Sequence, residues 1–147
     1  TEVSEERKAL IAANLAMVLE EVTSHPQTQY TFLFPPYSML WWDCGHKNGI
    51  SEEYFYVLEE VFPALLECNN TAMYYFQDEK DIVCNLDYYM DMIHYSPQIN
   101  QYMLDCIMSG ENMITDDNAD DFIKNMRDTY EYIIHEGIYK YYEKPSK

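Results

Sequence analysis

Two short apolar runs with a whole amphipathic helix between them constrain this chain more than any other feature. Tyr30–Phe34 is aromatic and β-branched, is stopped by Pro35-Pro36, and reads as a buried strand. Thr71–Gln77, T-A-M-Y-Y-F-Q, reads as a second. Between them Ser51 opens a helical stretch in which Phe55, Leu58, Phe62 and Leu65 recur at spacings of 3, 4 and 3. Pro63 lies inside that stripe and is expected to kink the helix or restart it. A tight hairpin has no room for a helix. The two strands are therefore expected to be parallel neighbours in one sheet, with the intervening helix packed on it.

The rest of the chain supplies more helices. Ser4–Thr23 carries Ile11, Leu15, Val18, Leu19 and Val22 on one stripe, and Ser24-His25-Pro26 ends it, with His25 favourable to the helix dipole. Tyr37–Ile50 reads as a long loop holding the tandem Trp41-Trp42 and two glycines. Asp78-Glu79-Lys80 turns the chain and Ile82–Cys84 reads as a brief extension. Ser96 and Pro97 form a helix start, after which Ile99, Met103, Cys106 and Ile107 follow helical spacing until Ser109-Gly110. A last helix is expected from Asp120 to about Tyr142, weakened near Gly137, and 143–147 form a tail. This order implies an α/β fold, a single domain over 1–147 with a short parallel sheet flanked by helices. Two strands alone do not make a viable parallel sheet, so further strands are expected from elsewhere.

Nine basic against 26 acidic residues give a net charge of −17, which repels nucleic acid phosphates and anionic lipid, and no nucleic-acid partner is expected. A hydrophobic content of 48% argues for an ordered globular chain, and most of the 15 tyrosines read as half-buried packing residues. Cys44, Cys68, Cys84 and Cys106 form neither a C-x-x-C pair nor a disulfide framework; Cys84 and Cys106 read as core thiols. Asp43-Cys44-Gly45-His46 lacks a second ligand pair and reads as polar loop, so neither metal nor cofactor is expected. No signal peptide or apolar span of membrane length is present, and Thr1 is not a native start.

Chemistry concentrates in Asn85–Ile107, where Asp91 and His94 stand three residues apart just before the helix start at Ser96-Pro97. A serine-type hydrolase needs an imidazole to take the nucleophile's proton, and a carboxylate to hold that ring in one tautomer and stabilise the cation that forms. Asp-x-x-His can supply both from one turn, in a loop leading into a helix, where functional side chains commonly sit.

Asp91-Met92-Ile93-His94, with Tyr95-Ser96-Pro97 and a helix after it, resembles the C-terminal block of the SGNH (GDSL-type) hydrolases. The likeness is greatest to bacterial cell-surface members related to the D-alanine and alginate acetyl transfer proteins. Phe32-Leu33-Phe34-Pro35-Pro36-Tyr37-Ser38 with Trp41-Trp42 looks like the strand and loop that precede the block in such proteins, and the resemblance spans roughly Gln29 to Gly110. It implies a three-layer α/β/α, flavodoxin-like sheet, of which this chain is the C-terminal part. It also implies an extracytoplasmic, cell-envelope location, and esterase or O-acyltransferase activity on acylated carbohydrate or a small ester. His94 would be general base, Asp91 its orienter, and Tyr37, Ser38, Trp41 and Trp42 the cleft wall.

The family's Gly-Asp-Ser block is missing: none of the seven serines has that context, and Gly110-Glu111-Asn112 stands in the wrong order for the oxyanion residues. The nucleophile is therefore expected upstream of Thr1. The chain alone is expected to be inactive, with a sheet edge that a missing segment or self-association completes. A different reading makes the charge the functional feature, in a non-catalytic acidic interaction module of inhibitor or immunity type. A third is a pseudoenzyme that keeps the pair and has lost the serine.

Overall fold

β1 (Tyr30–Phe34) and β2 (Thr71–Tyr75) pair in parallel, from Tyr30 opposite Thr71 to Phe34 opposite Tyr75, in a computed structural model that describes residues 2–143. The crossover between them contains α2 (Met39–Lys47) and α3 (Ser51–Leu66). Tyr30 N donates to Asn70 O at 2.8 Å and Phe76 N to Phe34 O at 3.0 Å, closing the ladder at both ends. Asn70 is buried, and its side-chain amide donates to the carbonyls of Val22, His25 and Thr28 at 3.0–3.2 Å. That amide shares its two N–H donors among the three carbonyls and so ties the end of α1 (Glu5–Ser24) to the start of the sheet.

Alternation along the strands sorts their side chains. Met73 and Tyr75, with Phe32 and Phe34 beside them, face a large core built from Met39 and Trp42 of α2, Phe55 and Phe62 of α3, and Met126 and Ile133 of α6 (Ala119–His135). Tyr74 and Phe76 face the other way, onto Ile99, Met103 and Cys106 of α5 (Pro97–Ser109). α1 lies against α3, and Val22 is its one fully buried residue. Between α1, β1 and α3 runs an apolar hollow of about 300 Å³, lined among others by Ile11, Leu15, Val18, Phe32, Phe34 and Val61. The outer edge of β2 is taken by an irregular segment: Tyr75 N donates to Asn112 O and Ile114 N to Met73 O. On the outer edge of β1 no strand pairs among the described residues, and Thr31 and Leu33 are exposed there.

Four sequence expectations need correction. The stretch expected as loop after Tyr37 contains α2. Gly45 sits inside that helix because a Cβ there would come within 2.6 Å of the Tyr54 ring, so close packing outweighs the propensity cost. Of the two outcomes expected at Pro63, the restart does not occur, since α3 runs as one helix through it; Pro63 and Glu59 are both exposed, so the forfeited backbone bond falls on the solvent side. Instead of an extension at Ile82–Cys84, there is a single helical turn, α4 (Lys80–Val83), followed by a 3₁₀ turn at Leu86–Tyr88. The last helix stops at His135, and a second 3₁₀ turn, Gly137–Lys140, follows. There Gly137 packs so closely on Tyr132 that a Cβ would lie 2.9 Å from its ring. Of the expected tail, residues 144–147 lie outside the described residues.

Candidate functional site

Tyr88–Ser96 folds back on itself. Tyr89 and Tyr95 form an antiparallel bridge, Ser96 N donates to Tyr88 O at 2.7 Å, and Met90 N donates to His94 O at 2.9 Å. The five residues Met90–His94 make the tip. Asp91 closes it: its Oδ1 accepts the backbone N–H groups of Ile93 and His94, each at 2.8 Å, as aspartates in turns do. The other oxygen, Oδ2, lies 2.5 Å from His94 Nδ1. One carboxylate thus builds the turn and orients the imidazole.

The electrostatics agree with that geometry. The hydrogen bond from His94, followed by the two backbone N–H groups, holds the Asp91 carboxyl down at about 2, below the usual carboxylate range. At neutral pH it is ionised and can only accept, so Nδ1 of His94 carries the proton. In the neutral ring Nε2 is then the free acceptor, the tautomer a general base requires. The His94 side chain is 67% exposed, so that nitrogen is open to an incoming group. Five surface hollows among the described residues are lined without either Asp91 or His94.

The other residues singled out from sequence divide. Ser38 is fully buried beneath the turn, where its N and Oγ both donate to Met92 O, at 3.0 and 2.8 Å. Trp42 is fully buried in the core against Phe55 and Tyr130. Neither can wall a cleft, because neither reaches solvent. Trp41 is half-buried and stacks on Tyr54 at 4.2 Å, and Tyr37 leans on Trp41 at 5.1 Å. That aromatic stack packs α2 on α3. Sequence reasoning missed Tyr89, whose hydroxyl donates to Pro36 O at 2.7 Å, and the exposed apolar tip formed by Met90, Met92 and Ile93. The signal for the first lies in the tyrosines that flank the turn on both limbs. Among the described residues no three His, Cys, Asp or Glu side chains are grouped to hold a metal, and no helix is long and apolar enough to cross a membrane.

No family model, curated protein or solved structure matches this chain.

Proposed function

We propose that this chain carries the base-and-orienter half of an SGNH-like serine esterase or O-acyltransferase acting on ester-linked groups of cell-surface carbohydrate, outside the cytoplasm. One observation carries the reading: Asp91 Oδ2 at 2.5 Å from His94 Nδ1, with Nε2 left as acceptor on an exposed ring. His94 takes the serine's proton as general base and gives it to the departing alcohol as the acyl-enzyme forms. In the second half it takes the proton of the incoming water or sugar hydroxyl and returns it to the serine, while Asp91 fixes its tautomer and steadies the imidazolium. The serine that attacks the ester carbonyl belongs to residues outside these 147, on strands that extend the sheet beyond β1 into a three-layer arrangement. Hydrolysis and transfer differ only in whether water or a sugar hydroxyl takes the acyl group from that serine.

A paired ester-hydrolysis assay tests this. The 147-residue chain should give background rates with or without His94. In the longer reading frame containing it, His94→Ala should lower kcat/KM by about 10³-fold or more, since the proton acceptor is gone. An extended protein that works equally well without His94 would end the catalytic assignment. The net charge of −17 favours a second reading, an acidic module that meets a basic partner. Salt-sensitive capture of such a partner by the His94→Ala chain, with no esterase activity in any form, would support that reading.

A further inference from the structure

Ser38 stands at the N-cap of α2, yet its side chain makes no capping bond. Both of its donors, the backbone N–H and the hydroxyl, go to a single distant acceptor, the carbonyl of Met92, which lies inside the turn between Asp91 and His94. An N-cap serine ordinarily spends its oxygen on the helix that follows. Here α2 starts without that bond, and the turn receives it. On the other limb of the same turn, the Tyr89 hydroxyl donates to Pro36 O.

Both anchors land on one short segment. Pro35–Ser38 joins the end of β1 to α2 and is stiff for identifiable reasons: two prolines fix their own φ angles, and Tyr37 N donates to Pro35 O at 3.0 Å. Ser38 O then accepts from Trp41 N at 2.9 Å, which locks the segment to the first turn of α2. Pro36 and Ser38 are buried. The turn they receive is the opposite kind of structure, with Met90 to His94 all exposed. A short exposed turn does not by itself keep a reacting nitrogen within the roughly 0.5 Å that catalysis demands; it needs support from rigid elements.

We propose that Ser38 and Tyr89 are positioning residues, which clamp the Asp91–His94 turn onto the Pro35–Ser38 segment so that the sheet and α2, not the loop, set where the imidazole stands. The inference rests on the catalytic reading of that pair. Ser38 touches no substrate in this account. It acts through the Met92 carbonyl, and Tyr89 through the Pro36 carbonyl.

The test uses the 147-residue chain and needs no activity. Nitrogen shifts of the ¹⁵N-labelled His94 ring report which nitrogen carries the proton, at a pH high enough to leave the imidazole neutral. In the parent chain the Nδ1–H form should dominate. Asp91→Asn sets the floor: its remaining oxygen still accepts the two turn amides, while the partner of Nδ1–H is lost. Ser38→Ala and Tyr89→Phe should each lower the ratio of Nδ1–H to Nε2–H by roughly threefold to tenfold, the fold-change an ordinary hydrogen bond carries. Ser38→Thr, which keeps the hydroxyl, should restore much of the ratio. Ser51→Ala removes another buried hydroxyl, at the first position of α3, which makes no hydrogen bond to the turn; it should leave the ratio alone, which separates clamping from loss of stability. An unchanged ratio in both Ser38→Ala and Tyr89→Phe, in chains that remain folded by circular dichroism, overturns the proposal. Failure of the catalytic reading shows separately, as an extended protein indifferent to His94.

Discussion

Asp78 is, with Asp91, one of two strongly displaced carboxyls among the described residues, and it moves in the opposite direction. It lies just past β2, where α6 covers it. Its Oδ1 is buried without a partner, and Thr129 Oγ1 donates to its backbone carbonyl at 3.5 Å. Burial first, and the neighbouring Glu79 second, push its pKa up to about 6. The folded state therefore holds the proton more tightly than the unfolded chain. The stability this contributes is fully present below about pH 4 and is lost as pH rises through about 6. Asp78→Asn, which keeps the shape without the charge, should raise unfolding free energy at pH 7–8 by up to about 3 kcal/mol and change it little below pH 4. Denaturant titrations of the two proteins at several pH values check this; a gain that does not vary with pH would refute it. Nothing in the order of residues announces this site, because what buries Asp78 is a helix that begins some forty positions later. Asp91 and His94 are legible for the opposite reason: their partnership is made inside one turn, so spacing alone encodes it. The role of Ser38 is hidden twice, first by distance in the chain and then by its disguise as a helix cap.

α2 was the element least visible from sequence, and the reasons are local. It is short, it carries two adjacent tryptophans in its first turn, and Gly45 interrupts its helical propensity. Packing decides in its favour, since its inner side fills the core with Met39 and Trp42. The two tryptophans, indistinguishable as a dipeptide, therefore carry unequal loads. Trp42→Ala should cost about 3–5 kcal/mol, as truncation of a fully buried aromatic does. Trp41→Ala gives up chiefly a half-exposed stack on Tyr54 and should cost about 1 kcal/mol. Equilibrium unfolding of both variants measures the difference, and equal losses would contradict the placement of α2. β1, α3 and β2 were legible because each carries a complete periodic pattern and the two strands are bounded by turn-forming residues. α3 continues through Pro63 without a restart because the rule against helical prolines loses force on an exposed face.

The described residues form a two-stranded sheet flanked by helices, and no strand among them pairs with the outer edge of β1. In the parallel ladder the amides of Tyr30, Phe32 and Phe34 point to β2, and those of Thr31 and Leu33 point outward. Hydrogen exchange resolved by residue should show Thr31 and Leu33 exchanging about 100-fold faster than Phe32, a neighbour of the same strand. Equal protection would mean that the edge is occupied in solution, and the −17 charge argues against a second copy as the occupant. The same ladder has a consequence in time. Each pair along it joins residues about forty apart, so the two strands cannot meet until the chain between them has closed on itself. α1 can coil early, but its resting place on β1 and α3 does not exist before that closure. A chain that is mostly helix should therefore reach its native state at the pace of its smallest element, a two-stranded ribbon whose loop must be shut first.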